Sequence, residues 1–70
     1  MYRYLAGRLK QLGIDRVTLA KMLGMSMAAL SQRFNSHVEW RACEMYEVLQ
    51  IIGANPEELH IYFPKGGMST

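Results

Sequence analysis

Residues 15–35, DRVTLAKMLGMSMAALSQRFN, constrain this chain more than any other stretch. Their apolar residues fall into two i, i+4 pairs, Leu19 with Leu23 and Leu30 with Phe34, the spacing of one face of an α-helix. Gly24-Met25-Ser26 stands between the pairs. Gly24 has no Cβ and admits the positive φ that a tight reversal needs. Ser26 has the hydroxyl of a good N-cap for the helix after it. Asp15 is placed to cap the helix before it, with its charge at the positive end of the helix dipole. The stretch therefore predicts two short helices, 16–23 and 27–34, joined by a turn at 24–26. Ala20 lies beside Leu19 and is small enough to let another helix approach closely.

The remaining residues predict a scaffold for these two helices. Leu5, Leu9 and Leu12 form one apolar stripe on a first helix over 2–12. Gly7 inside it costs about 1 kcal/mol relative to Ala, which close packing against another helix would explain. Gly13 is placed as a left-handed stop, and Ile14 turns back toward the core. After a loop at 35–37, Val38-Glu39-Trp40 uses Trp40 to anchor the chain on the core. A fourth helix covers 42–52, with Met45, Val48, Leu49 and Ile52 inward and Glu44, Glu47 and Gln50 outward. Cys43 is expected to be buried or half-buried near its start. Asn55-Pro56-Glu57-Glu58 supplies an N-cap, a Pro at the first helical position and a Glu at the third. That predicts a short fifth helix, about 56–61, with Leu59 inward. Ile61, Tyr62 and Phe63 form an apolar run halted by Pro64; it either packs on its own core or pairs as a short edge strand with a second copy. The whole reads as an all-α, compact five-helix domain over 1–64 with a flexible tail at 65–70.

Seventy residues make one domain that buries little surface. Cys43 is the only cysteine, so no internal disulfide adds stability, and the setting is expected to be reducing. Cys43, His37 and His60 lack the paired spacing of a zinc site. Dimerisation is the remaining common remedy for a small core. No apolar run is long enough to span a bilayer, and the N-terminus lacks a signal-peptide core; the expectation is a cytoplasmic protein without a membrane partner. A Cys43–His37 pair has no orienting third group, so neither an enzyme, a small-molecule substrate nor a cofactor is expected.

Charge is unevenly spread. Residues 1–41 hold seven Lys/Arg against two acids, a balance of +5, and residues 42–70 hold Lys65 against four Glu, a balance of −3; together they give the net +2. The basic part contains the two central helices, as a phosphate-facing surface requires. The outer face of the second of them carries Met27, Ala28, Ser31 and Gln32, with Arg33 at its edge. Gln32 can pair bidentately with adenine, and Met27 and Ala28 can touch thymine methyls. Ser31 can donate or accept. Arg33 could reach guanine or phosphate, phosphate being the more frequent outcome, and Arg16, Lys21 and Asn35 suit phosphate. On an ordinary exposed helix these groups are simply solvated; the two-helix turn favours duplex DNA, because a helix-turn-helix lays its second helix in the major groove.

The pattern Leu19-Ala20-Lys21-Met22-Leu23-Gly24-Met25-Ser26-Met27-Ala28-Ala29-Leu30-Ser31 resembles the lambda-repressor-like helix-turn-helix domain of the Cro/CI, or XRE, type. Val38-Glu39-Trp40 and Gly53-Ala54-Asn55-Pro56-Glu57-Glu58-Leu59 resemble the loop and last helix junction of small phage or prophage Cro and repressor proteins. The resemblance spans roughly residues 5–60. It implies a sequence-specific transcription regulator that binds double-stranded DNA as a homodimer on a palindromic operator. Base contacts would come from Met27, Ala28 and Gln32 with Ser31, backbone contacts from Arg16, Lys21, Arg33, Asn35 and His37. Three positions, Arg16, Ser36 and His37, depart from the family pattern. Arg16 stands where Gln is common, and it reaches phosphate without making the amide brace. Asn35-Ser36-His37 stands where Asn-Gly-Lys is common. Ile61, Tyr62 and Phe63 are the dimer-interface candidates. The alternative is a protein-interaction module on the same fold, antitoxin-like or anti-repressor-like, docking through Met22 and Met27 and binding DNA weakly.

Overall fold

The computed structural model describes residues 2–64. These fold into five α-helices: α1 Arg3–Leu12, α2 Arg16–Leu23, α3 Met27–Phe34, α4 Ala42–Ile52 and α5 Leu59–Tyr62, the last preceded by a 3-10 turn at Pro56–Glu58. Among the described residues there is no strand. The expected tail at 65–70 lies outside them.

Local chemistry fixes the helix ends. Asp15 Oδ1 accepts from the Thr18 N–H at 2.8 Å, and Ser26 Oγ accepts from the Ala29 N–H at 3.1 Å. Both are side-chain N-caps, worth about 1 kcal/mol each. Gly24 has φ 68°, and the N–H groups of Gly24 and Met25 donate back to the carbonyls of Lys21 and Ala20. That closes α2 with a left-handed cap and turns the chain into α3 within three residues. At the last junction Glu58 accepts from the Asn55 N–H at 2.7 Å. There the first turn is 3-10, with the α-helix starting only at Leu59.

α4 is the core's axis. Met45, Val48, Leu49 and Ile52 are all buried, and α4 touches α1, α2 and α5. Leu5 and Leu9 of α1, Leu19 and Ala20 of α2, and Leu30 and Phe34 of α3 close the same cluster. Ile14, Leu23, Met25 and Leu59 pack at its edge. At one end of the core four aromatic rings meet. Trp40 lies edge-on to Phe63 at 5.2 Å and to Phe34 at 5.7 Å, and Tyr2 lies tilted 5.8 Å from Phe63. Such pairs contribute about 0.5–1.5 kcal/mol each beyond burial. They tie Tyr2, the end of α3, the loop and the residue after α5 into one unit. Trp40 is buried as expected, and its indole N–H has no hydrogen-bond partner among the described residues.

Several expectations are corrected. Leu12 is 41% exposed: it is the last residue of α1, and Ile14 fills the core beyond the turn in its place. Among the described residues no other element comes within 4 Å of where a Cβ on Gly7 would sit, so close helix packing among them does not explain it. Cys43 is exposed, because the buried face of α4 begins at Met45 and Cys43 points away from it. Ile61 and Tyr62 belong to α5, not to an edge strand. Phe63 is fully buried and makes the aromatic contacts above, so it is not available as an interface residue for a second copy.

Candidate functional site

α2 and α3 present their surface because the caps at Asp15 and Ser26 and the reversal at Gly24 hold them against each other, while Leu19, Ala20, Leu30 and Phe34 bury the opposite side. The residues left outward on α3 are Met27, Ala28 and Gln32, exposed, and Ser31, half-buried. These four positions share one helical face. The structure thus brings together the four residues expected to read bases, on a surface with no charge of its own.

The flanking cations divide. Arg33 is not free. Its Nε donates to Glu44 Oε1 at 3.0 Å, one terminal nitrogen donates to Glu44 Oε2 at 3.1 Å, and the other donates to the Ala29 carbonyl at 3.0 Å. The two side chains are 14% and 15% exposed. Glu44 Oε1 also accepts from the Arg41 N–H at 2.9 Å, capping α4. Burial by itself would raise the Glu44 pKa; the Arg33 hydrogen bonds and the Arg41 N–H outweigh it and hold the carboxyl below its ordinary value. Arg33 is therefore a strut between α3 and α4. The expectation that Glu44 points to solvent is corrected, and Arg33, expected on DNA backbone, is engaged within the fold. Burial selects the pair: a guanidinium at the inner edge of α3 is satisfied by the carboxylate that faces it across the helix junction.

Arg16 behaves differently. It is exposed at the start of α2, and its guanidinium carbon sits 4.3 Å from the centre of the Phe34 ring. The ring attracts the cation, by about 0.5–1 kcal/mol at such a site. Beside it lies an open cleft of about 440 Å³, walled by Ala6, Leu9, Ile14 and Phe34 and rimmed by Lys10 and Arg16. Sequence reasoning missed this cleft, and no local pattern signals it, since its walls come from three separate segments. Lys21 is exposed near the end of α2. Asp15 has its carboxyl held below the ordinary range, chiefly by the Thr18 N–H.

Past α3 the chain turns tightly. Gln32 O accepts from the N–H groups of His37 and Val38, and Asn35 and His37 are exposed. Ser36 has φ 62°. The left-handed geometry that a Gly would take without strain is kept here by a serine.

These residues form a neutral α3 face, with Arg16 and Lys21 exposed on α2 and Asn35 and His37 exposed in the loop after α3. The chain matches the family described as "Protein of unknown function (DUF739)" over residues 1–66. It belongs to that family. No curated protein and no solved structure matches it. In this DUF739 chain the described residues contain no group of three or more His, Cys, Asp or Glu placed to hold a metal ion. No described helix is long and apolar enough to cross a membrane.

Proposed function

We propose that this protein is a sequence-specific, double-stranded DNA-binding transcription regulator of lambda-repressor-like, Cro or XRE type, with α2 and α3 as its helix-turn-helix and α3 in the major groove. The observation that carries this reading is the outward face of α3. Met27, Ala28, Ser31 and Gln32 stand together on a helix that α2 and a three-residue turn present to solvent. Arg16, Lys21, Asn35 and His37 surround that face and contact phosphates, which position the module without reading sequence. Arg33 contributes by fixing α3 on α4.

The protein acts in the cytoplasm as a homodimer on a palindromic site. Support for a second copy comes from the α1–α5 edge. Tyr4 is 73% exposed there, beside exposed Ile61 and half-buried Tyr62, around a groove of about 240 Å³. Selection from random duplex DNA at near-physiological salt tests the reading. A palindromic consensus with half-sites about one helical turn apart is expected; failure to enrich any sequence overturns it.

A second reading has an observation of its own. Met22 is 52% and Met27 41% exposed, and the α3 face is uncharged, as suits a surface that docks on protein. Under that reading Arg16→Ala and Lys21→Ala leave a protein complex intact; under the first they reduce retention on DNA.

A further inference from the structure

The cations on α3 decide what kind of base it can read. Guanine is read in the major groove chiefly by Arg or Lys, bidentate to O6 and N7. Arg33 is the only Arg or Lys within Met27–Phe34. All three of its guanidinium nitrogens are engaged, two by Glu44 and one by the Ala29 carbonyl, and its side chain is 14% exposed. To reach a guanine it would have to abandon a carboxylate that is itself 15% exposed. Stripping a half-buried carboxylate of its bidentate partner is costly, so the pair persists and α3 offers no cation to a base.

What α3 does offer is chemically narrow. Ser31, half-buried on that face, has one hydroxyl that suits any base and so selects none. Met27 and Ala28 have no side-chain hydrogen-bonding group beyond a weakly accepting thioether, and both are exposed. The one apolar group on the major-groove floor is the thymine C5-methyl. Setting these side chains against a guanine or cytosine edge would desolvate polar atoms without a replacement partner. Gln32, one turn further along the same face, has the amide that matches adenine N6 and N7.

We infer that the site recognised by α3 is built of A·T pairs, read through thymine methyls by Met27 and Ala28 and through adenine by Gln32, with no guanine contacted by this helix. The inference rests on the DNA-binding reading above. It is a statement about the half-site that the neutral face touches, and Arg16 and Lys21 remain on phosphate.

The test uses the duplex enriched by selection. Each thymine is replaced in turn by uracil, which keeps base pairing and removes only the methyl. Each guanine is replaced by 7-deazaguanine, which removes N7. Affinity is expected to fall about fourfold at each contacted thymine, the worth of one buried methyl group, and to be unchanged by 7-deazaguanine. In Met27→Ala at least one of the uracil effects is expected to vanish while the others persist. A duplex that loses affinity on 7-deazaguanine substitution and not on uracil substitution overturns the inference and leaves the DNA-binding reading standing. Absence of any enriched duplex overturns both.

Discussion

Arg16 opens α2 and Arg33 lies next to the end of α3, and in the sequence both suit phosphate. The fold treats them oppositely. Arg33 lies on the inner edge of α3, where Glu44 and the Ala29 carbonyl take up its nitrogens. Arg16 is exposed at the start of α2, with its guanidinium over the Phe34 ring. The carboxylate partner makes one a structural tie, and exposure leaves the other open to a partner. A cation count therefore overstates the binding surface wherever an acid on a neighbouring helix comes within reach.

The contrast is broken most strongly at Glu44. Glu44→Ala leaves the Arg33 guanidinium largely buried without its carboxylate and uncaps α4. A loss of about 2–3 kcal/mol is expected in urea unfolding. A loss near zero would mean the pair is an ordinary surface contact.

Acid should undo part of the same tie. The Glu44 and Asp15 carboxyls are both held below their ordinary values of 4.5 and 3.8. Groups shifted this way contribute stability that is fully present above those ordinary values and is lost as pH falls through the lowered, folded ones. The thermal midpoint should fall over that acid range in the wild type, and less steeply in Glu44→Gln. Equal slopes in the two proteins would remove Glu44 from the acid response.

Ser36 sharpens the picture of the loop beyond α3. Its left-handed backbone at φ 62° carries a strain of about 1 kcal/mol that glycine lacks. Ser36→Gly is expected to raise stability by up to that amount, less the added entropy of the unfolded chain. A clear loss would show that the serine side chain contributes more than its backbone strain costs.

Arg16→Ala is the smallest change in stability, within about 1 kcal/mol. Its mark is on binding: the slope of log affinity against log salt should shrink by about 0.9, one phosphate's share. An unchanged slope would place Arg16 off the DNA.

The helices themselves were legible in the sequence. Asp15, Gly24 and Ser26 specify their ends through local bonds, and the apolar spacing of α2, α3 and α4 specifies their inner faces. These signals act within a few residues and need no knowledge of the fold. The Arg33–Glu44 tie spans eleven residues across two helices, and no periodicity announces it. The place of Phe63 was left open for the same reason. An apolar run beside a terminus has no local signal for whether its own core or a partner covers it, and the contacts with Trp40 and Tyr2 settle that only in three dimensions. Gln32, Met27, Ala28 and Ser31 were placed on one face by helical geometry alone, which is why the candidate surface was easier to read than its flanking charges.

The most direct measurement is selection from random duplex DNA run side by side on the wild type and on Gln32→Ala. If α3 reads bases, the wild type enriches a palindromic, A·T-rich consensus, and Gln32→Ala relaxes the preference for adenine at one position in each half-site by about 1–3 kcal/mol while keeping the rest. Identical consensus sequences from the two proteins, or no enrichment from the wild type, would contradict it.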